Sequence, residues 1–237
     1  MDKYLELLAY GPTGWGDELL GGLFITVSLA LATLPFGLLL GFVIALGKKS
    51  PEPSLQLAST IYTTIFRGLP ELLTLFLVYF GFQIAIKTLS ERMGYGITIE
   101  VNSFLAGMIA LALVFSAYSS EVFHSAFLGI PQGQYEGGKA LGLSRFQTFR
   151  LVVLPQLIRL ALPGLTNLWL ILLKETSLVS AVGLVDVMRQ TGIAARNTKE
   201  AFFFYGLACL IYLTLAILSS LVLRRTEGWA KRAEMAR

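Results

Sequence analysis

Five charged residues stand where charge is expensive. Arg67, Glu71, Glu121, Lys174 and Glu175 lie inside or beside long apolar runs, on three separate stretches of the chain. Ionisable groups at membrane depth face a bundle interior, where they pair with one another or meet a substrate. This set holds both signs, and a zwitterionic ligand needs both: donors for its carboxylate and acceptors for its ammonium. The first turn of a half-helix at a break can add backbone donors for the carboxylate, and Glu121 can serve a cationic group. The plainer reading is structural. On it, Lys174 and Glu175 pair with Glu121, with Arg67 or with a second subunit, or sit at a membrane edge. Catalysis has a thinner basis. Glu121 and His124 share a helix face at i and i+3, which would suit an acid and a base in a membrane-embedded enzyme, but no nucleophile–base–orienter set accompanies them. His124 is the only histidine and Cys209 the only cysteine, so the chain has no His-based metal cluster, internal disulfide or CxxC site. It also lacks a G-x-x-x-x-G-K-[ST] phosphate loop, so ATP hydrolysis of that kind is not its own, and no cofactor is expected.

A second candidate site is polar and basic. Pro131 to Pro155 interrupts the apolar sequence and reads as two short helices. The first covers Gln132 to Leu141, with Gly142 as its left-handed stop. The second starts at Ser144, where Ser144-Arg145-Phe146-Gln147 fits a capping box, and Pro155 is expected to end or kink it. Leu141, Leu143 and Phe146 are apolar knobs, flanked by Lys139 and Arg145 for an acidic rim. Such anchors make interface hot spots. The simpler alternative is an amphipathic loop lying on the membrane surface.

The elements that must position these residues are membrane helices. The sequence of 237 residues is 55% hydrophobic and only 14% charged, with mean hydropathy +0.68. A soluble domain carries about 25% charge. Five spans are expected in one transmembrane domain covering residues 1–237, with its core at about 20–223 and the polar loop at about 129–159. The first is Leu19 to Gly47, kinked at Pro35. Leu55 to Ile86 as one helix would be roughly 48 Å long, well over a bilayer core of about 30 Å. Arg67-Gly68-Leu69-Pro70-Glu71 therefore marks a discontinuous helix, or a loop between two short ones. Span three covers Asn102 to Leu128, span four Leu160 to Leu184, and span five Ala201 to Leu223. Residues 87–101 and 185–200 read as outer loops. Residues 1–18 read as an interfacial segment anchored by Tyr4, Tyr10 and Trp15, with a turn at Gly11-Pro12-Thr13-Gly14 and no basic n-region or cleavage site. With the N-terminus outside, eleven of the nineteen basic residues fall on the inner side and six on the outer, which puts the polar loop in the cytoplasm.

Several stretches carry a family resemblance. Glu136-Gly137-Gly138-Lys139-Ala140-Leu141-Gly142, followed by Val153-Leu154-Pro155, resembles the EAA coupling loop of ABC importer permeases, with glycines where the family name has alanines. Arg67-Gly68-Leu69-Pro70 with Leu75 to Gly81, Ala117 to His124 (the family's Arg being His124 here), and Asn167 to Ser180 are similar to stretches of polar-amino-acid permeases. The resemblance runs from about Leu20 to Leu223. It implies an all-α integral membrane protein with the five-helix type I importer fold, translocating polar amino acids, cationic ones or opines among them. It implies as partners a homologous permease (a heterodimer being expected), two ABC ATPase subunits that bind the ATP, and an extracytoplasmic substrate-binding protein in a bacterial inner membrane. It also implies that Glu136 to Phe146 and Pro155 couple the chain to the ATPases. The rivals are a proton-coupled secondary transporter, a passive channel and the membrane-embedded enzyme.

Overall fold

In hydrocarbon a backbone must satisfy its own N–H and C=O groups, and a helix does so within one segment. The computed structural model describes residues 2–11, 14–93 and 102–235, and among them all regular structure is helical. In chain order the helices are α1 (Asp2–Leu7), α2 (Gly16–Lys49), α3 (Pro53–Gly68), α4 (Glu71–Arg92), α5 (Ser103–Leu128), α6 (Gln132–Ala140), α7 (Arg145–Thr148), α8 (Leu154–Glu175), α9 (Val187–Thr198) and α10 (Ala201–Met235). A π-helical stretch, Phe149–Val153, joins α7 to α8, and a 3₁₀ stretch, Thr176–Val182, prolongs α8. Five segments are long and apolar enough to cross a membrane: α2, α4, α5, Arg145–Val182 and α10 as far as Arg224. The expected five-span, all-α architecture is the one observed.

Helix α5 is the hub. In its most apolar window 61% of residues are buried, against 6% in α10, so α5 is surrounded by protein and α10 lies at the periphery. Small residues bring α2 against α5. A Cβ added at Gly37 would come within 2.5 Å of the Phe115 ring, and one at Gly41 within 2.0 Å of Ser119 Oγ. Membrane helices pack closely through such small residues because lipid offers no hydrophobic gain for association. Leu29, Leu75, Phe115, Leu172 and Val179 fill the centre where α2, α4, α5, α8 and the 3₁₀ stretch meet.

Several boundaries differ from the sequence reading. Helix α2 starts at Gly16 and runs unbroken through Pro35. The stretch 87–93 is not loop, because α4 continues to Arg92; residues 94–101 of that expected loop lie outside the described residues. The outer loop at 185–200 is largely the amphipathic helix α9. Asp186 caps it by accepting the Arg189 N–H at 2.9 Å, and Val187, Thr191, Ala194 and Ala195 form its buried stripe. Pro155 neither ends nor breaks its helix. It sits in the first turn of α8, where a missing N–H is tolerated, and the π-helical stretch just before it absorbs the register change. The continuous helical run that contains span four therefore begins at Arg145, upstream of Leu160. At the N-terminus, α1 is tied to the α9–α10 corner by a Lys3–Glu200 ion pair and by Tyr4 packed on Phe203. Gly11 has the positive φ of 95° that a turn needs, while Pro12 and Thr13 lie outside the described residues.

Candidate substrate pathway and coupling site

The expected break is present, and α4 beyond it is by itself long and apolar enough to cross a membrane. Helix α3 stops at Gly68, Leu69 is extended, as a residue before proline should be, and α4 restarts at Glu71. The break places Arg67 and Glu71 at facing helix ends. Arg67 Nη1 donates to Glu121 Oε1 at 2.8 Å, and Lys48 Nζ donates to the same oxygen at 2.6 Å. Glu121 thus joins the ends of α2 and α3 to α5, and its charge is already committed to two cations. One turn back on α5, the Tyr118 ring lies 5.8 Å from the Arg67 guanidinium carbon.

Glu71 and Glu175 lie within electrostatic reach of Tyr118 and of each other. They arrive from different elements, Glu71 on the first turn of α4 and Glu175 on the last of α8. Two carboxylates, a phenol and a neighbouring guanidinium make a site that accepts from a cation on one side and donates to an anion on the other. Lys174, the neighbour of Glu175 in the chain, also lies within its electrostatic reach. Its side chain lines a separate recess of about 360 Å³ with Ser177, Met188, Tyr205, Cys209 and Tyr212. Of the five charged residues singled out in the sequence, Arg67 and Glu121 are joined by an ion pair, and Glu71 and Lys174 both lie within electrostatic reach of Glu175. Sequence reasoning missed Lys48, although its place directly after the apolar run of α2 was a signal for it.

The cytoplasmic-type loop folds as its residues dictate. Helix α6 ends at Ala140, and Gly142 takes a left-handed φ of 74° while the Leu143 N–H reaches back to the Gly138 carbonyl. Ser144 forms the full capping box with Gln147. The two glycines in place of alanines have different reasons. Gly138 is buried against Thr148, where a Cβ would fall 2.5 Å from Thr148 Cγ2; at Gly137 an added Cβ meets nothing within 4 Å. Glu136, Lys139, Ala140, Arg145 and Phe146 are exposed, and Leu141 is 80% exposed, so these residues form an open face, with Leu143 half-buried behind them. Pro155 is exposed on the first turn of α8. His124 is partly exposed on α5.

The polar atoms not yet satisfied are few. Asp186 is fully buried, its second oxygen Oδ2 lacks a hydrogen-bond partner among the described residues, and burial pushes its carboxyl up to about 6. Its backbone packs directly on α2, since a Cβ at Gly22 would lie 2.8 Å from the Asp186 carbonyl carbon.

Comparison with known proteins follows this geometry. Residues 37–227 match the family described as "binding-protein-dependent transport system inner membrane component". The nopaline transport system permease protein NocQ of Agrobacterium fabrum is 42% identical over 229 residues, covering 96% of this chain and 97% of the relative. The histidine/lysine/arginine/ornithine transport system permease protein HisQ of Escherichia coli is 37% identical over 226 residues, covering 94% and 99%. Among solved structures, an amino acid ABC transporter crystallised with histidines superposes with a TM-score of 0.76 at 30% identity, over 90% of this chain and 94% of that one.

Proposed function

From the premise that the chain belongs to the family of binding-protein-dependent transport system inner membrane components, we propose how it works and what it carries. It is a multi-pass membrane permease subunit of an ABC importer of amino acids or opines. Its substrates are amino acids or opines with a cationic group, and the observation that carries this is the pair of carboxylates, Glu71 and Glu175, gathered around Tyr118 beside Arg67. The cationic group is held between the carboxylates. The substrate's own carboxylate is drawn to Arg67 and to the free N–H groups of the first turn of α4. The substrates that name the relatives, nopaline and histidine, lysine, arginine and ornithine, fit that chemistry.

Energy comes from outside the chain. Two ABC ATPase subunits bind the ATP and grip the exposed face of α6 and α7, so no cofactor belongs to this subunit. A second, homologous permease completes the pathway as a heterodimer, and a soluble binding protein delivers substrate from the outer side. The N-terminus lies outside and the C-terminus in the cytoplasm of a bacterial inner membrane. Closure of the ATPases moves α6 and α7 as a rigid handle and exchanges outward for inward access.

The test is uptake by proteoliposomes holding the chain with its co-purified permease, ATPases and binding protein. ATP-driven uptake of labelled arginine, competed by lysine, ornithine and opines but not by leucine, is expected. Glu175→Gln or Glu71→Gln should lower it about tenfold, the worth of one lost charge-assisted hydrogen bond. Uptake that follows a proton gradient with no ATPase present would replace this reading with a secondary transporter.

A further inference from the structure

Two adjacent lysines at the end of α2 join the coupling helix to the substrate side of the protein. Lys49 Nζ donates to the Tyr135 phenol on α6 and lies 4.3 Å from the centre of that ring and 4.7 Å from the Phe127 ring. Its neighbour Lys48, only 9% exposed in its side chain, holds Glu121, whose same oxygen holds Arg67. Arg67 is one residue from the end of α3, and three residues on Glu71 opens α4. Two sets of polar contacts, Tyr135–Lys49 on one side and Lys48–Glu121–Arg67 on the other, are therefore joined through the last turn of the α2 backbone and lead to the helix break. Beneath it, Ala45, Phe123, Phe127 and Ile130 form one apolar cluster, with Phe42 and Tyr135 packed on it, so the end of α2 and the start of α6 are packed as well as paired.

We infer that Lys49 and Lys48 are positioning residues that transmit displacement of α6 to Arg67 and the α3–α4 break, so that ATPase closure changes the substrate site. This rests on the permease reading above. Glu121 Oε1 serves both Lys48 and Arg67, so a shift of the α2 end alters the hold on Arg67, and the Arg67 guanidinium is then free to change partner. The Phe127 ring, 4.7 Å from Lys49 Nζ, adds a cation–π attraction to the Tyr135 hydrogen bond.

The experiment uses the intact importer in proteoliposomes, with Lys49→Met, Lys49→Arg and the wild type compared. For Lys49→Met the ATPase subunits should stay bound and hydrolyse ATP at the wild-type rate, while substrate moved per ATP falls about tenfold, a usual size for coupling between sites. Lys49→Arg keeps the cation over the rings and should restore most of it. Wild-type transport per ATP in Lys49→Met overturns the inference, as does loss of ATPase subunits in step with transport. A second measurement stands apart from transport. In the purified chain, the melting shifts of Lys49→Met and Tyr135→Phe should be non-additive in the double variant, and additive shifts would remove the link. Absence of ATP-driven uptake in the wild type would sink the permease reading instead, and the melting cycle would still decide whether α2 and α6 are joined.

Discussion

At the scale of single residues, two buried positions make sharp predictions. Gly138 faces Thr148 at a distance that leaves no room for a methyl group, whereas Gly137 faces open space. Gly138→Ala should destabilise the chain by about 1–3 kcal/mol through overpacking, and Thr148→Ala in the same chain should recover most of the loss. Gly137→Ala should instead stabilise α6 by about 1 kcal/mol, the helix-propensity difference between the two residues. Melting of the three purified variants and the wild type in one detergent separates these outcomes; equal losses at 137 and 138 would contradict the packing. Asp186 gives a pH prediction. Its folded carboxyl titrates near 6 against an ordinary value of 3.8, so between these values the folded state keeps a proton that the unfolded state releases. Its contribution is full below about pH 4 and is lost as pH rises through 6, and the gap is worth roughly 3 kcal/mol. Asp186→Asn can still cap α9 and has no proton to lose. Its melting temperature should be the less sensitive of the two between pH 4.5 and 7, with the variant ahead of the wild type at pH 7. Parallel pH profiles for the two chains would remove the buried carboxyl as the cause.

At the scale of elements, the open face of α6 and α7 is the part that a partner can grip. Leu141 is 80% and Phe146 69% exposed, on helices fixed from behind by Gly138–Thr148 packing, a capping box and a Gln156–Gln134 hydrogen bond. Phe146→Asp, which touches nothing buried, should leave expression and melting unchanged and strip the ATPase subunits from a tagged chain. Glu136→Lys with Gly142→Asp should do the same while also loosening α6, because Gly142 holds a left-handed φ. Retention of the ATPases by Phe146→Asp would move the docking face elsewhere. Much of this was legible in the sequence, because Gly142, Ser144 and Gln147 act through local backbone chemistry. The break at Leu69-Pro70 was legible for the same reason. Helix α9 was not: its stripe of Val187, Thr191, Ala194 and Ala195 is small and mixed, and only burial against α2 and α10 reveals it. Pro155 misled, because a proline reads as a stop until the π-helical stretch beside it is seen. The site followed the same division. Arg67, Glu71, Glu121 and Glu175 stood out as charges in apolar sequence, but which of them pair depends on how three helix ends meet, and spacing does not carry that.

At the scale of the whole molecule, charge placement and helix count must agree on one topology. With α5 and the Arg145–Val182 segment as consecutive spans, α6 and α7 lie on one side and α9 on the other. The basic residues favour the cytoplasm for α6 and α7: Lys48, Lys49, Lys139, Arg145 and Arg150 all gather there. Labelling tests this directly. In a Cys209→Ser background, needed because Cys209 is exposed, single cysteines can be placed at Leu141 beyond α6 and at Asn197 in the last turn of α9, both exposed in this structure. A membrane-impermeant maleimide applied to spheroplasts should modify Asn197→Cys and spare Leu141→Cys, and inside-out vesicles should reverse the result. Labelling of both from one side would mean that the Arg145–Val182 segment does not cross the membrane. The reverse pattern would put α6 and α7 outside, beyond the reach of any cytoplasmic ATPase, and the coupling role of the loop would fall with it.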